Sequence, residues 1–197
     1  LPVSAEEELD RVIPVIEGLR RKQVRSLISI DTYKAVVADR ALRAGARVIN
    51  DISGLRFDTG MAEVARRQRA GLILMHIRGT PKTMQQLPPV RDVVATVRAG
   101  LRWSVKTALA AGVSKWHIAL DPGIGFSKTV EQNFELIAAL PRLAKLGYPL
   151  LVGPSRKSFI RRTIEGRVGK RYDLPAPRTA SPEEVMCGTA AVVAECI

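Results

Sequence analysis

The chain has 197 residues, 46% of them apolar and 25% charged, and 31 Lys and Arg against 19 Asp and Glu give a formal net charge of +12. This length supports one domain with a sizeable core, and no apolar stretch approaches the roughly 18 residues that a membrane span requires. The positive excess suits either an anionic partner or an Arg-rich solvated surface; with no RNA or DNA motif and only 5% aromatics, a nucleic-acid partner is not expected.

The opening, Leu1-Pro2-Val3-Ser4, has no initiator Met, no basic leader and no signal core, so the chain is expected to begin inside a longer protein. A first helix is predicted from Ser4, with Ser4 and Glu7 spaced as a capping box and Leu9, Val12, Ile13, Ile16 and Leu19 on one face. Pro14 predicts a kink within it. Five short apolar runs then alternate with helical patterns: Leu27–Ile30, Ala46–Ile49, Gly71–Leu74, His117–Leu120 and Pro149–Val152. Such runs read as parallel strands buried on both faces.

The intervening helices are predicted at about 33–44, 61–69, 91–111 and 130–145. A polar loop, Arg78–Pro89, is longer than the usual strand-to-helix connection and is a functional candidate. A basic, Pro-containing stretch spans 161–180. The last helix opens at Ser181-Pro182-Glu183-Glu184, with an N-cap Ser, Pro at the first helical position and a second capping box, and is expected to be unfinished at Ile197.

Alternation of this kind implies a parallel α/β fold, either an open sheet or a (β/α)8 barrel. A barrel needs eight strands. With five runs, the expectation is an incomplete barrel formed by a single domain over residues 1–197, with strands missing at both ends.

Every run ends in a polar or glycine-rich cluster: Asp31-Thr32, Asn50-Asp51, Met75-His76, Asp121-Pro122 and Gly153-Pro154. Active sites of parallel α/β folds gather at the carboxyl ends of the strands. The Gly123 to Thr129 loop mimics a phosphate-binding loop. However, Ser127 stands where a P-loop needs Gly, and Lys128 where a dinucleotide fingerprint needs its third Gly. Cys187 and Cys196 lie on opposite faces of one predicted helix, about 13.5 Å apart along its axis, and are expected to be free thiols, as suits a reducing cytosol. His76 and His117 have no partner at zinc-site spacing.

Five segments in this order carry a resemblance: Ser29 to Lys34, Val48 to Gly54, Met75 to Pro81, Leu120 to Thr129 and Gly153 to Ile160. Together they resemble the dihydropteroate synthase family over essentially the whole chain. The resemblance implies a (β/α)8 TIM barrel and a cytoplasmic transferase of folate biosynthesis, a sulfonamide target, commonly a homodimer. It would condense 6-hydroxymethyl-7,8-dihydropterin diphosphate with 4-aminobenzoate, giving 7,8-dihydropteroate and diphosphate with Mg²⁺ as cofactor.

The resemblance also assigns roles. Asp121 would pair with the guanidine-like edge of the pterin, as a carboxylate can in two parallel hydrogen bonds. Asn50, both donor and acceptor, would read the adjacent ring nitrogen and amino group. Asp31 would face the dihydro-ring N–H, and Lys157 the ring carbonyl and N5. Asp31, Asp121 and Lys157 are therefore the expected catalytic set. Ile52, Met75 and Phe126 would line the pterin with apolar surface, and Gly153 would permit close approach. Ser155, with Phe126 and Lys157, would bind 4-aminobenzoate, while Arg156 would face solvent or substrate.

The family's two early mobile loops, its metal-binding Asn and its closing Arg- and His-bearing strand have no counterpart here. No metal ligand is thus expected in this chain, and the isolated chain is expected to be nearly inactive. Ser127 and Arg161 stand where the family usually has Gly, and Pro154 where it has an apolar residue. The alternatives are a pterin-binding pseudoenzyme, a methyltetrahydrofolate-binding methyltransferase domain and a basic nucleic-acid-binding module.

Overall fold

A computed structural model describes residues 3–166 and 179–197. Four strands form one sheet in sequential order: β1 (Ser29–Asp31), β2 (Val48–Asp51), β3 (Gly71–Met75) and β4 (Ile118–Asp121). Every pairing is parallel, and parallel neighbours need a crossover. Helices α2 (Ala35–Ala44), α3 (Met61–Gln68) and α4 (Val93–Ala110) provide it, and α1 (Ala5–Arg21) precedes the sheet. After β4 come α5 (Val130–Ala138), α6 (Leu140–Ala144), α7 (Ser158–Ile164) and α8 (Pro182–Glu195). Two compact units divide the chain: Leu1–His76 with Gly100–Asp121, and Ile77–Ala99 with Pro122–Ile197.

In the first unit, register separates the two faces of the sheet. Ile30, Ile49, Leu72 and Ile118 stand side by side across the four strands, and all four are buried. Leu74 and Leu120 form the next row on that face, with no exposed surface. Each such side chain contributes about 1.5–3 kcal/mol of apolar burial. The helices of this unit bring matching apolar faces, Val37, Ala38, Ala41 and Leu42 on α2 and Met61, Val64 and Ala65 on α3. The opposite face carries the row Asp31, Asn50, Ile73, Ala119, and above it Met75 beside Asp121.

The second unit packs α7 against α5 and α8. Phe134 meets Phe159 edge to face at 5.3 Å. A Cβ at Gly188 would come within 2.7 Å of Ile160, so α7 and α8 touch closely at that glycine. The Ser181–Glu184 capping box forms as its spacing predicts.

Several expectations need correction. The fifth run, Pro149–Val152, is not a strand; Leu150 makes one isolated bridge and Leu151 is 39% exposed. Pro149 opens the run without an N–H and Pro154 follows close behind it, so a ladder is weakened at both ends, and the run is only partly buried. The helix expected over 130–145 is two helices, broken at Ala139 just before Pro141, because a proline has no N–H to continue the ladder. The first capping box is half formed: Ser4 accepts the Glu7 N–H at 3.1 Å, but the Glu7 carboxylate pairs with Arg11 one turn along. Helix α1 runs through Pro14 without interruption. Of the basic stretch, residues 161–164 belong to α7, while 167–178 lie outside the described residues. Cys187 and Cys196 are free thiols. Among the described residues no helix is long and apolar enough to cross a membrane.

Candidate active site

The strand tips of the first unit place polar groups by register. Asp31 and Asn50 are direct partners across β1 and β2, and the Asn50 amide donates to the Asp31 carboxylate at 3.2 Å. The Asn50 Oδ1 is buried and has no hydrogen-bond partner among the described residues. A buried acceptor left unmade costs about 1–3 kcal/mol, so this atom is a ready acceptor for a ligand N–H. Two residues further along the same face, Met75 stands beside Asp121, both buried. The His76 N–H donates to the Asp121 carbonyl at 2.9 Å, which extends the β3–β4 ladder to the base of the following loops.

Asp31 is exposed at the end of β1. Desolvation pushes its carboxyl above the ordinary value; the Asn50 hydrogen bond pulls it down, and the charges of Glu8 and Asp51 push it up again. A carboxylate of this kind is a better hydrogen-bond acceptor than a free one.

Asp51 points to the other face and is almost fully buried. One oxygen accepts the Ser53 N–H at 2.8 Å and the Ser53 hydroxyl at 2.7 Å; the other accepts the Leu55 N–H at 2.8 Å. Burial raises its carboxyl despite these bonds. It therefore fixes the loop that carries half-buried Ile52. Gly54 completes that loop at φ +58°, where a Cβ would come within 2.6 Å of the Met75 carbonyl. Arg56 closes it by donating to the Ser104 hydroxyl at 3.1 Å and the Gly100 carbonyl at 3.0 Å, and by stacking on Trp103 at 4.5 Å. The Asp51-Ile52-Ser53 spacing is an Asx-turn signal that sequence reasoning could have used. Arg56 gives no such signal.

The second unit collects the remaining predicted residues around the loop after β4. Lys157 donates to the Ile124 carbonyl at 2.5 Å and lies over the Phe126 ring at 4.2 Å. Gly125, at φ +83°, makes the room: a Cβ there would sit 2.5 Å from the Lys157 side chain. The Gly125 N–H donates to buried Asn133 at 2.6 Å, and Lys128 donates to the carbonyls of Gly123 and Phe126 at 2.8 and 2.7 Å. Lys128 is thus a brace for the loop.

Ser127 adopts φ +53°, a left-handed conformation that favours Gly. Its hydroxyl accepts the Arg78 N–H at 3.0 Å and donates to the Phe126 carbonyl at 2.7 Å, which offsets the strain and ties down the start of the 78–89 loop. Arg161 sits inside α7 in ordinary helical geometry, and Lys157 is the N-cap of that helix, so the turn forms without Gly at 161. Ser155 and Arg156 are exposed; the Arg156 backbone donates to Thr189 at 3.0 Å. Gly153 has no protein atom within 4 Å of a built Cβ, so packing does not require glycine there. Among the described residues no three His, Cys, Asp or Glu side chains are grouped to hold a metal ion.

Parallel strands with an Asp–Asn pair and a buried Asp at their carboxyl ends have the layout of a small-molecule site in the α/β class. The family model described as pterin binding enzyme matches residues 1–197, and the chain belongs to that family. It is 49% identical over 176 residues to the dihydropteroate synthase of Synechocystis sp., covering 89% of this chain and 58% of that protein. The crystal structure of dihydropteroate synthase from Stenotrophomonas maltophilia with active site-bound imidazole superposes at TM-score 0.86 with 39% identity, over 99% of this chain and 68% of that one. The Xanthomonas albilineans enzyme in complex with 7,8-dihydropteroate superposes at 0.82 with 37% identity, over 98% and 65%. The chain thus carries part of a TIM barrel and spans about three-fifths of the length of the curated relatives it matches.

Proposed function

We propose that the chain provides the pterin-binding face of a dihydropteroate synthase. The observation that carries this reading is the Asn50 Oδ1, a buried acceptor without a partner among the described residues, next to the Asp31 carboxylate. An acceptor and a carboxylate on one strand row match the alternating donors of a pterin edge. Asp121, two residues further along the same sheet face, adds the carboxylate that a guanidine-like edge would pair with, and Met75 offers apolar surface to the ring. For Lys157, Phe126 and Ser155 of the second unit, the family resemblance alone carries the proposed roles: a cation for the pterin carbonyl, an aromatic face for the 4-aminobenzoate ring and a hydroxyl for its carboxylate.

In the reaction, the arylamine nitrogen forms a bond to the pterin methylene carbon as the carbon–oxygen bond to diphosphate breaks. The amine then loses a proton to solvent, and diphosphate leaves with the bonding electrons. The chain's residues orient the pterin and keep its methylene placed for attack, which is where positioning has most effect on rate. The relatives named as synthases and the dihydropteroate complex of the Xanthomonas enzyme support this reading. Magnesium would stabilise charge on the departing diphosphate. Free cysteines suit a reducing cytoplasm, and a homodimer is the assembly that the family resemblance implies. The test is calorimetric titration of 6-hydroxymethyl-7,8-dihydropterin diphosphate into the wild-type chain and Asn50→Ala. The expected result is saturable binding that weakens about tenfold or more in the variant; unchanged affinity would remove the basis of the reading.

A further inference from the structure

Beyond the residues that would touch the pterin, one group on α1 binds the turn that follows Asp31. Thr32 follows Asp31 directly and is buried, 3% exposed. It is held on two sides: its N–H donates to the Asn50 carbonyl at 3.1 Å, and its hydroxyl donates to Glu8 Oε1 at 2.5 Å. The other Glu8 oxygen pairs with Lys34, and both side chains of that pair are only 19% exposed. The Lys34 ammonium also donates to the Val3 carbonyl at 2.9 Å, and the Lys34 N–H returns to the Thr32 hydroxyl at 3.2 Å. A mostly buried carboxylate in the first turn of α1 is thus fully engaged with the turn that leaves β1.

We propose that Glu8 is a positioning residue for Asp31, holding the Asp31–Lys34 turn through Thr32 and Lys34. The proposal rests on the pterin reading above. Surface capping of α1 does not require it, since Glu6 and Glu7 already place acidic groups in that turn and Ser4 supplies the cap. A helix-terminal Glu in solvent would not be turned inward onto a buried threonine and a lysine 26 residues away.

The arrangement has an electrostatic consequence. The groups acting on Asp31 are Glu8 from α1 and Asn50 and Asp51 from β2; Lys34, in the following turn, pairs with Glu8, and Asp58, in the loop after β2, accepts the Ala35 N–H at 2.7 Å. Glu8 is a like charge that disfavours ionised Asp31, and Lys34 is its ion-pair partner. Glu8→Gln keeps an oxygen for Thr32 but removes the charge and leaves Lys34 unneutralised, so Asp31 should titrate at lower pH. Lys34→Met leaves Glu8 uncompensated, so Asp31 should titrate at higher pH.

The experiment is carbon NMR of Asp-labelled full chain, following the Asp31 carboxyl through pH in wild type, Glu8→Gln and Lys34→Met, with thermal melts to confirm folding. Calorimetric binding of 6-hydroxymethyl-7,8-dihydropterin diphosphate over the same pH range follows. The expected result is opposite displacement of the Asp31 titration in the two variants. The acid limb of pterin binding should move with it, and binding by Glu8→Gln at neutral pH should weaken about fivefold. A merely structural Glu8 would alter melting, and its lost charge would still displace the Asp31 titration, but Glu8→Gln would bind the pterin as tightly as the wild type at pH values where Asp31 is ionised in both, which overturns the proposal. If Lys34→Met does not fold, the binding of Glu8→Gln decides alone. No pterin binding by a folded wild type would defeat the pterin reading instead.

Discussion

Asp31 and Asn50 owe their places to strand register, whereas Lys157 owes its place to a loop. The first pair sits on β1 and β2, over rows of buried Ile and Leu on the opposite face. Moving either residue would mean slipping a strand, which would turn every side chain over. Lys157 follows a segment that is not a strand, and the Ile124 carbonyl, the Phe126 ring and the gap left by Gly125 are among the features that place it. The strand tips are therefore rigid and costly to disturb, while the lysine is adjustable at small cost to the fold.

The sharpest contrast should appear in stability. Ile49→Ala, in the middle of the buried row, should cost about 2–5 kcal/mol by chemical denaturation, because Ile49 has no exposed surface. A loss below 1 kcal/mol would show that the sheet does not anchor the site as described. Gly125→Ala should do the reverse. The Lys157 side chain is flexible and can yield, so the strain at φ +83° should cost about 1–2 kcal/mol, yet pterin affinity should fall about tenfold as the ammonium leaves Phe126. Equal affinity in wild type and variant would mean that the Lys157 position is not set by this glycine.

A smaller effect tests the helix layer of the first unit. Burial pulls Asp39 up, but hydrogen bonds from Gln68 and Arg67 and the charges of Arg43 and Arg67 outweigh it, leaving the carboxyl below its ordinary value. Its folded pKa is lower than its unfolded one, so its stabilisation is present above the unfolded value and is lost as pH falls through the folded one. Asp39→Asn should therefore cost about 0.5–1 kcal/mol near neutral pH, discounted for solvent screening, and nothing in acid below both values. A cost that persists there would assign the effect to packing. Least of all, Leu151→Ala should change stability by no more than about 0.5 kcal/mol, as a 39% exposed residue outside any ladder.

The same contrast explains what could be read from the chain. Asp31, Asn50 and Asp121 end runs of Val, Ile and Leu, and a strand end shows itself where apolar residues give way to polar ones. The run Pro149–Val152 has similar composition but no strand, because prolines on both sides and partial exposure outweigh a few aliphatic residues. The break at Ala139 is legible in Pro141, which has no N–H to continue the helical ladder. The Glu8, Thr32 and Lys34 cluster has no local pattern, since its members are joined only by folding. Side-chain hydrogen bonds to carbonyls, as at Lys157 and Lys128, also leave no trace in residue type alone.

The central claim is that the strand tips form a pterin site, and Asp121 tests it most directly because it is the most deeply buried of the three polar tip residues assigned to the ligand. Calorimetric titration of 6-hydroxymethyl-7,8-dihydropterin diphosphate should give saturable binding to the wild-type chain. Asp121→Ala, confirmed folded by its melt, should bind a hundredfold or more weakly, about 3 kcal/mol for the loss of a buried charged partner. Equal binding by the two proteins, or none by a folded wild type, would contradict the account.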